Sequence, residues 1–283
     1  MSDIIEKLHN STIHHGSFNN RIFVLKLSPD DCPGILSDLD TLATNRYYTK
    51  IIVKVPAKFA EIFFQHGYTA EAAIPGYFSA DNKGSEVLLM VKYRDPDRAA
   101  DSDLGRTTKV LDEAALKSGT GFPSPPPPSY SCRAAYKSDT TQMAELYKKV
   151  FPTYPFPIDN PAFLAETMDN HCRYMGVWKD NQLVGLASAD MDVKEMNAEM
   201  TDFATHTEHR GLQLAGFMLQ SLEKSIAAEG IKIAYTIARS RSFGMNITFS
   251  RAGYSFAGTL INNTNISGKI ESMNVWYKPL QAN

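Results

Sequence analysis

Four consecutive prolines, at residues 125–128, constrain the fold of this 283-residue chain more than any other feature. Proline lacks the backbone N–H that helices and central strands need, so the stretch SGTGFPSPPPPS, residues 118–129, is predicted to be an extended connector. The chain is therefore expected to divide into an N-terminal part, residues 1–117, and a C-terminal domain, residues 130–283. Just before the connector, residues 103–117 have the spacing of an amphipathic helix.

The C-terminal domain alternates strand-like and helix-like patterns. A hairpin is predicted around a turn at Lys179–Asn181, and a helix is predicted after a cap at Asp159 or Asn160. The other predicted strands are residues 131–136, 198–205, 232–238, 254–263 and 272–280, and the other predicted helices are residues 139–151, 212–230 and 242–253. The resulting order, βααβββαβαββ, predicts a mixed α/β sheet.

The N-terminal part has a shorter version of the same order. Its patterns read βαβαββ between residues 22 and 93, which matches the last six elements of the C-terminal domain. The phrase FFQHGY, residues 63–68, also echoes FSRAGY, residues 249–254. These similarities predict an internal duplication, with a partial α/β copy of the C-terminal fold in the N-terminal part.

One polar turn of the C-terminal domain has the composition of an anion site. Residues 199–216, EMTDFATHTEHRGLQLAG, run from a strand through the turn into an apolar helix. A helix N-terminus offers unsatisfied N–H groups, Gly211 lets the backbone come close and Arg210 adds a charge. The alternative is a plain helix start with Arg210 in a surface ion pair. The matching N-terminal turn, residues 28–34, is SPDDCPG and is expected to repel anions.

Composition excludes several classes of function. A formal net charge of −2 without a basic block argues against a nucleic-acid partner. No apolar run approaches the roughly 20 residues that a membrane helix needs, and the N-terminus lacks the pattern of a signal peptide. Three dispersed cysteines without a C-x-x-C pair indicate reduced thiols. We therefore expect a cytoplasmic protein without a membrane or nucleic-acid partner.

The polar turn and its surroundings resemble the GNAT family of N-acetyltransferases. The family's acetyl-CoA motif, Arg/Gln-x-x-Gly-x-Gly/Ala, is matched by residues 210–215, RGLQLA, with Gln213 in place of the central glycine. The chain also resembles the β-lysine N-acetyltransferases within that family, which carry a partial N-terminal domain. That closer likeness rests on the segments IPGYF (74–78), FPTYPFPIDNP (151–161), AEMTDFAT (198–205), SFGMNITF (242–249), GYSFAGTLINNTNISG (253–268) and ESMNVWYK (271–278).

The resemblance implies the fold, the cosubstrate and the reaction. It implies a GNAT acyltransferase fold with an N-terminal partial GNAT-like α/β domain, and direct acetyl transfer from acetyl-CoA to an amine. The implied acceptor is the terminal (N6) amine of β-lysine, and the product N6-acetyl-β-lysine is a compatible solute in osmoadaptation. Another small amine, such as lysine or a polyamine, and a non-catalytic acyl-CoA-binding sensor are the alternatives. A homodimer also stays open, because the N-terminal part can complete a sheet within one chain or between chains.

The resemblance also assigns the cofactor residues. Backbone groups of the strand segment are expected to meet the pantetheine arm, and the turn is expected to hold the pyrophosphate. A first-turn helical residue needs no positive φ, so Gln213 is expected to reduce close approach without straining the fold. The strand residues are Phe203, Ala204 and Thr205, and the turn residues are Arg210, Gly211, Leu212, Gln213, Leu214 and Ala215.

An amine substrate needs a base. An amine of pKa about 10.4 is neutral in roughly one molecule in 2,500 at pH 7, a penalty of about 4.6 kcal/mol. Glu199 falls at the position of the general base in one branch of the family, and Asp202 is the other candidate. Without a bulge, strand alternation places Glu199 and Phe203 on one face and Asp202 on the other. The alternative is that both acids only hold the substrate ammonium or cap backbone groups.

The remaining functional predictions concern the general acid, the acceptor site and metals. The family's general acid, a tyrosine, falls on Phe249 here, so Tyr235, Tyr254 or water is left to protonate the thiolate. The acceptor's carboxylate and amines imply a mixed pocket, although packed loops and backbone-capping asparagines are the plainer reading. The candidates for that pocket are Tyr154, Phe156, Arg239, Arg241, Asn246, Asn262, Asn263, Asn265 and Glu271. His206 and His209 have no clear third ligand, so no metal is expected.

Overall fold

The computed structural model describes residues 3–78, 86–122, 127–266 and 268–281. Within these residues, thirteen strands form one sheet. The strands are β1 (Ile4–Leu8), β2 (Ser11–Gly16), β3 (Arg21–Lys26), β4 (Lys50–Pro56), β5 (Thr69–Ile74), β6 (Val87–Tyr93), β7 (Tyr130–Ala134), β8 (Cys172–Lys179), β9 (Gln182–Asp192), β10 (Asn197–Thr205), β11 (Ile233–Arg239), β12 (Ser255–Ile266) and β13 (Lys269–Pro279). The α-helices are α1 (Ile35–Arg46), α2 (Ala60–Gln65), α3 (Leu104–Ala115), α4 (Thr140–Val150), α5 (Pro161–Asn170), α6 (Leu214–Ala228) and α7 (Phe243–Arg251).

The two halves of the chain contribute adjacent parts of this sheet. The strand order is β1-β2-β3-β4-β6-β5-β12-β13-β11-β10-β9-β8-β7, so the halves meet where β5 lies antiparallel to β12. Ala72 stands opposite Gly258 at this junction. Gly258 has φ +147°, and a Cβ there would collide with the backbone of Glu71 and Ala72. Only glycine fits such a close approach, and it lets the sheet continue within one chain.

Apolar packing also crosses the junction. One core cluster combines Phe23 and Leu89 from the N-terminal half with Tyr235, Leu260 and Val275 from the C-terminal half. A continuous apolar face of this kind fixes the relative position of the two halves, because separating them would expose it to water.

Buried polar groups cross the junction as well. The Lys50 Nζ donates to the carbonyl oxygen of Ile261 at 2.7 Å and to Glu71 at 3.2 Å. The Arg98 guanidinium donates to the carbonyl oxygens of Asn262 and Asn19, at 2.7 and 2.8 Å. Because buried cations are stable only with such partners, these contacts add specificity to the junction.

Helix α3 packs against the C-terminal half. Ser250 of α7 donates its hydroxyl to the carbonyl oxygen of Ala114 at 2.6 Å, and Ala114 belongs to the C-terminal core. The chain after α3 stays attached to α7, since Gly119 N donates to Ser250 O and Gly121 N to Arg251 O. The division into residues 1–117 and 130–283 stays a prediction, and residues 123–126 of the connector lie outside the described residues.

The predicted α/β class and the C-terminal order βααβββαβαββ are confirmed. The predicted hairpin turn has Asp180 and Asn181 at φ +49° and +63°, as a tight two-residue turn requires. Helix α5 is capped by the Asn160 side chain, which accepts from Ala162 N, rather than by Asp159. In the described part of the chain, no helix has the length and apolar character to cross a membrane.

The internal repeat also appears in the fold. The order β3-α1-β4-α2-β5-β6 matches β10-α6-β11-α7-β12-β13, and the first two strands are parallel in each copy. The sequence analysis missed β1 and β2. Strand β1 is largely exposed and β2 reads STIHHG, so neither has the alternating apolar pattern that identifies a strand.

Candidate active site

A cleft opens where two parallel strands separate. In the described residues, β10 and β11 pair at three positions, from Asn197 opposite Ile233 to Glu199 opposite Tyr235. Beyond these pairs, residues 201–203 of β10 and residues 236–239 of β11 line the same cavity, which has a volume of about 180 Å³. The divergence leaves backbone groups and side chains of both strands accessible to a ligand.

A bulge in β10 shapes this cleft. Thr201 pairs with Ser188 and Ala204 with Leu186, so Asp202 and Phe203 together stand opposite the single residue Ala187. Asp202 has φ +56°, a left-handed backbone that is uncommon outside glycine. The extra residue breaks the strand alternation. The prediction that Glu199 and Asp202 lie on opposite faces holds only without a bulge, so it does not apply to this strand, and both residues line the cavity.

Glu199 lies partly buried beside a lysine of the N-terminal half. About a quarter of its side chain is exposed (24%), and its Oε2 is 3.9 Å from Lys54 Nζ. Burial raises the pKa of Glu199, Lys54 opposes that rise and Asp190 adds to it. A raised pKa makes this carboxylate a better proton acceptor than a solvated glutamate.

Asp202 is held by hydroxyl groups. It accepts hydrogen bonds from Tyr154 Oη at 2.5 Å, from Ser188 Oγ at 2.8 Å and from Thr201 Oγ1 at 3.3 Å. Burial raises the pKa of Asp202, while the bonds from Tyr154 and Ser188 lower it. These donors occupy much of the accepting capacity of Asp202, so the geometry leaves Glu199 the freer of the two carboxylates.

The polar turn after β10 has the features of an anion site. A short 3₁₀ turn at Thr207–His209 precedes Arg210, whose Nε donates to Thr205 O at 3.2 Å. The backbone N–H groups from Gly211 to Ala215 have no protein acceptor within the described residues. Five consecutive free donors beside an arginine and a helix N-terminus fit a pyrophosphate.

Gln213 differs from expectation. It precedes the first residue of α6 and has φ +58° and ψ +22°, in the left-handed region. The expectation that this position needs no positive φ is wrong, because the chain turns left-handed just before the helix begins. A glutamine there costs roughly 1–2 kcal/mol in backbone strain. Its Oε1 is also buried without a partner in the described part of the chain.

The same turn brings two histidines and a glutamate together. The ligand atoms of His206, Glu208 and His209 lie within 4.8 Å of one another, and His209 Nδ1 is 2.9 Å from Tyr130 Oη. The expectation of no metal stays a prediction.

The two tyrosines predicted as possible general acids, Tyr235 and Tyr254, lie outside the cavity. Phe249 is buried against Phe203 and Tyr254, with ring centroids 5.5 and 5.1 Å away. Tyr254 packs in the hydrophobic core with residues of α6. Tyr235 accepts a hydrogen bond at 2.8 Å from Nζ of Lys54, a residue of the N-terminal half. Neither tyrosine lines the cavity.

The predicted acceptor residues separate into two groups. Tyr154, Phe156, Arg239 and Asn263 line the cavity, whereas Asn246 and Glu271 do not. Arg239 donates to both Glu271 oxygens, at 2.7 and 2.8 Å, so its charge is already neutralised.

The other predicted polar residues serve the fold. Asn246 joins Arg239 O, Ser242 O and Trp276 Nε1, all within 3.0 Å. Arg241 lies near Asp101 and Asp103. Asn262 donates to backbone of the segment after β6, and Asn265 to Phe18 O. The asparagine contacts are mainly to backbone, as the plainer reading of an asparagine-rich segment expects, and Arg241 meets carboxylates instead.

Two polar cavity residues from the N-terminal half were missed by the sequence analysis. Arg21 begins β3 and His14 lies in β2, and both are buried and line the cavity. Arg21 Nη1 donates to Asn263 O at 2.5 Å and to Thr264 Oγ1 at 3.2 Å. The sequence signal was weak, because Arg21 stands just before the predicted strand IFVLKL and His14 lies in STIHHG, which has no strand pattern.

Comparison with known proteins identifies the family. The profile of the Acetyltransferase (GNAT) family matches residues 140–244. The chain is 34% identical to beta-lysine N(6)-acetyltransferase of Methanococcus maripaludis, over 98% of this chain and 99% of that protein. It is 32% identical to N-acetyltransferase YodP of Bacillus subtilis, over 95% and 96% of the two chains. It is 30% identical to beta-lysine N(6)-acetyltransferase of Methanosarcina mazei, over 87% and 97%. The chain therefore belongs to the GNAT family of acetyltransferases and is an acyltransferase.

Proposed function

We propose that this enzyme transfers the acetyl group of acetyl-CoA to the N6 amine of β-lysine. The full-length similarity to two proteins named beta-lysine N(6)-acetyltransferase carries the proposal. The cavity supports it, because it combines carboxylates for an ammonium group with a cation for a carboxylate. The product, N6-acetyl-β-lysine, would act as a compatible solute in the cytoplasm.

The polar turn and the bulged strand fit acetyl-CoA. Arg210 and the free N–H groups of residues 211–215 match a pyrophosphate, and Phe203 lines the cleft where the pantetheine arm would enter, with Ala204 and Thr205 following it in β10. A bulged strand can aim a backbone N–H at the thioester oxygen, which would stabilise the developing oxyanion. Cofactor binding therefore depends chiefly on backbone groups.

Glu199 is the proposed general base. It accepts fewer hydrogen bonds from protein groups than Asp202 does. Burial raises its pKa, which makes it a stronger base than a solvated glutamate. It would take a proton from the N6 ammonium, while Asp202 and Tyr154 would orient the amine and Ser188 would hold Asp202. The neutral amine then attacks the thioester directly, without a covalent enzyme intermediate. Thiolate is a good leaving group, so no side-chain acid is required, and the second proton that the nitrogen loses on forming the amide can reach the thiolate through water.

Both walls of the cavity come from one chain. His14 and Arg21 of the N-terminal half face Glu199 and Asp202 of the C-terminal half around the same space. A homodimer is therefore not needed to complete the site, and we propose that a monomer is competent.

An assay of thiol release tests the proposal. The purified enzyme with acetyl-CoA is offered β-lysine, lysine and spermidine, and mass spectrometry of the product locates the acetyl group. The proposal requires the highest kcat/KM for β-lysine and acetylation at N6. A higher value for lysine or spermidine assigns another acceptor. Acetyl-CoA binding without thiol release for any amine points to a sensor instead.

A further inference from the structure

We propose that Arg21 of the N-terminal half binds the carboxylate of the acceptor, so that the enzyme accepts amino acids and rejects polyamines. This inference rests on the proposed acetyl transfer to an amine, and it assigns a function to the N-terminal half. The partial second copy of the fold would supply the residue that recognises the non-reacting end of the substrate.

The Arg21 guanidinium is buried without a direct ion pair, although the charges of Asp3 and Glu199 act on it from a longer distance. Its side chain is 4% exposed, and no carboxylate oxygen lies within 4 Å of it in the described residues. The two buried lysines nearby differ, since Lys50 is 3.2 Å from Glu71 and Lys54 is 3.9 Å from Glu199. An unpaired buried cation is costly, so a position facing a cavity indicates that an anion completes it.

Arg21 also keeps unused hydrogen-bond donors. Of its three nitrogens, only Nη1 donates to an acceptor within the described residues, and Nε is buried without a partner. A guanidinium has five N–H donors in a planar fork that matches the two oxygens of a carboxylate. The carbonyl oxygen of Asn263 and the hydroxyl of Thr264 hold Nη1 and thereby fix the plane of the fork.

Arg98 provides the contrast within the same region. Its Nε, Nη1 and Nη2 all donate to protein oxygens, at 2.7, 3.0 and 2.8 Å, and it does not line the cavity. Arg98 therefore serves the junction, whereas Arg21 faces the ligand space with donors to spare. Burial and the charge of Arg98 lower the pKa of Arg21 to about 9, with Asp3 and Glu199 opposing them, and this still leaves Arg21 protonated at neutral pH.

His14 extends the same wall without adding charge. Its ring stacks on Phe156 with centroids 5.1 Å apart, and its buried Nε2 has no partner in the described part of the chain. Burial, with the nearby charge of Arg21, lowers the pKa of His14 to about 4. A neutral imidazole beside Arg21 can give a hydrogen bond to a carboxylate oxygen or to the second amine.

The charges of the cavity therefore suit a particular class of molecule. Arg21 supplies a cation from β3, and Glu199 and Asp202 supply anions from β10. A diamino acid matches both, with its carboxylate at Arg21 and an ammonium at the acids. A polyamine has only cations, so it would meet repulsion at Arg21 and leave its donors unpaired.

Substrate pairs that differ only in the carboxylate test this assignment. The pairs are β-lysine with 1,4-diaminopentane and lysine with cadaverine, measured on the wild-type enzyme, Arg21→Gln and Arg98→Gln. We expect the wild type to prefer the amino acid by about 100-fold or more in kcat/KM. In Arg21→Gln this preference should fall to within about 10-fold through the KM of the amino acid, with the diamine little changed. Arg98→Gln should affect both members of a pair equally.

The design separates this inference from the proposed function. A preference for lysine over β-lysine would remove the proposed acceptor, while the comparison with cadaverine would still test Arg21. Calorimetric binding of the same four compounds gives a readout that does not need turnover. An unchanged preference in Arg21→Gln, or a wild type that neither binds nor acetylates the amino acids better than the diamines, would overturn the assignment.

Discussion

Glu199 Oε2 lies 3.9 Å from Lys54 Nζ, so a carboxylate of the C-terminal half is adjacent to a buried cation of the N-terminal half. Lys54 also donates to Tyr235 Oη at 2.8 Å, and Tyr235 stands opposite Glu199 in the sheet. The proposed base is therefore positioned and electrostatically adjusted by the half of the chain that does not contain the polar turn.

Glu199→Gln tests the base directly. The amide keeps the shape of the side chain but cannot accept a proton, so we expect kcat at pH 7 to fall about 100-fold or more, with little change in the Kd of acetyl-CoA. The deficit should shrink as the pH approaches the amine pKa of about 10.4, because the neutral amine then no longer needs a base. Steady-state rates from pH 6 to 10 and calorimetric acetyl-CoA binding measure both.

The matched variant is Asp202→Asn, at the second acid of the cavity. It disturbs the bonds from Tyr154 and Ser188 and should raise the KM of the amine more than it lowers kcat. A normal rate in Glu199→Gln, together with a pH-dependent loss in Asp202→Asn, would transfer the role of base to Asp202.

Lys54→Met should move the acid limb of the pH–rate profile. Burial raises the pKa of Glu199, and Lys54 is the largest influence that lowers it. A carboxylate acts as a base only when ionised, so activity is lost as the pH falls through its pKa. Removing Lys54 raises that pKa further, and the loss should begin at a higher pH than in the wild type.

Lys58→Met is the control for charge removal, because Lys58 is exposed and follows the same strand. Its profile should coincide with that of the wild type. The measurement is kcat/KM for the amine from pH 5 to 9. An acid limb that stays in place in Lys54→Met would show that Glu199 does not control it.

Much of the fold could be predicted from the sequence, because the C-terminal strands and helices have clear apolar periods. The site was harder for a local reason. The bulge at Asp202 adds one residue to β10. Asp202 is left-handed, but neither it nor its neighbours in the sequence is a glycine, the residue that usually indicates a left-handed position. Simple alternation therefore does not apply across the bulge, and both acids line the cavity.

Long-range contacts explain the other omissions. Arg21 lies 242 residues before the backbone oxygen that orients it, and no local pattern connects it with Asn263. Arg239 shows the converse, since its position after β11 indicated a ligand residue but Glu271 already neutralises it. Which arginine keeps unpaired N–H donors depends on contacts that form only when both halves of the sheet are in place.

Gln213→Gly should stabilise the protein and strengthen cofactor binding. At φ +58° and ψ +22° a glycine avoids the strain of a side chain, with a gain of about 1 kcal/mol in the free energy of unfolding. It would also let a pyrophosphate approach the free N–H groups more closely. Urea denaturation and acetyl-CoA titration measure the two effects.

Gln213→Ala separates strain from the buried amide. It removes the unpartnered Oε1 but keeps a Cβ at the left-handed position. We expect little or none of the stability gain seen with glycine. Equal gains in both variants would mean that the buried amide, and not the backbone, is the source of the instability.

Gly258→Ala should disrupt the junction between the two halves. A Cβ at this position would meet the carbonyl oxygen of Glu71 and the backbone of Ala72, neither of which is a flexible side-chain end. The strands must then separate, and we expect a loss of about 3 kcal/mol or more in the free energy of unfolding. Activity should fall as well, because separation of the halves withdraws Arg21 and Lys54 from the cavity.

Gly244→Ala in α7 is the matched control, since a Cβ there has no neighbour within 4 Å, and it should be neutral or slightly stabilising. If Gly258→Ala unfolded and turned over like Gly244→Ala, the β5–β12 contact would not be what joins the halves.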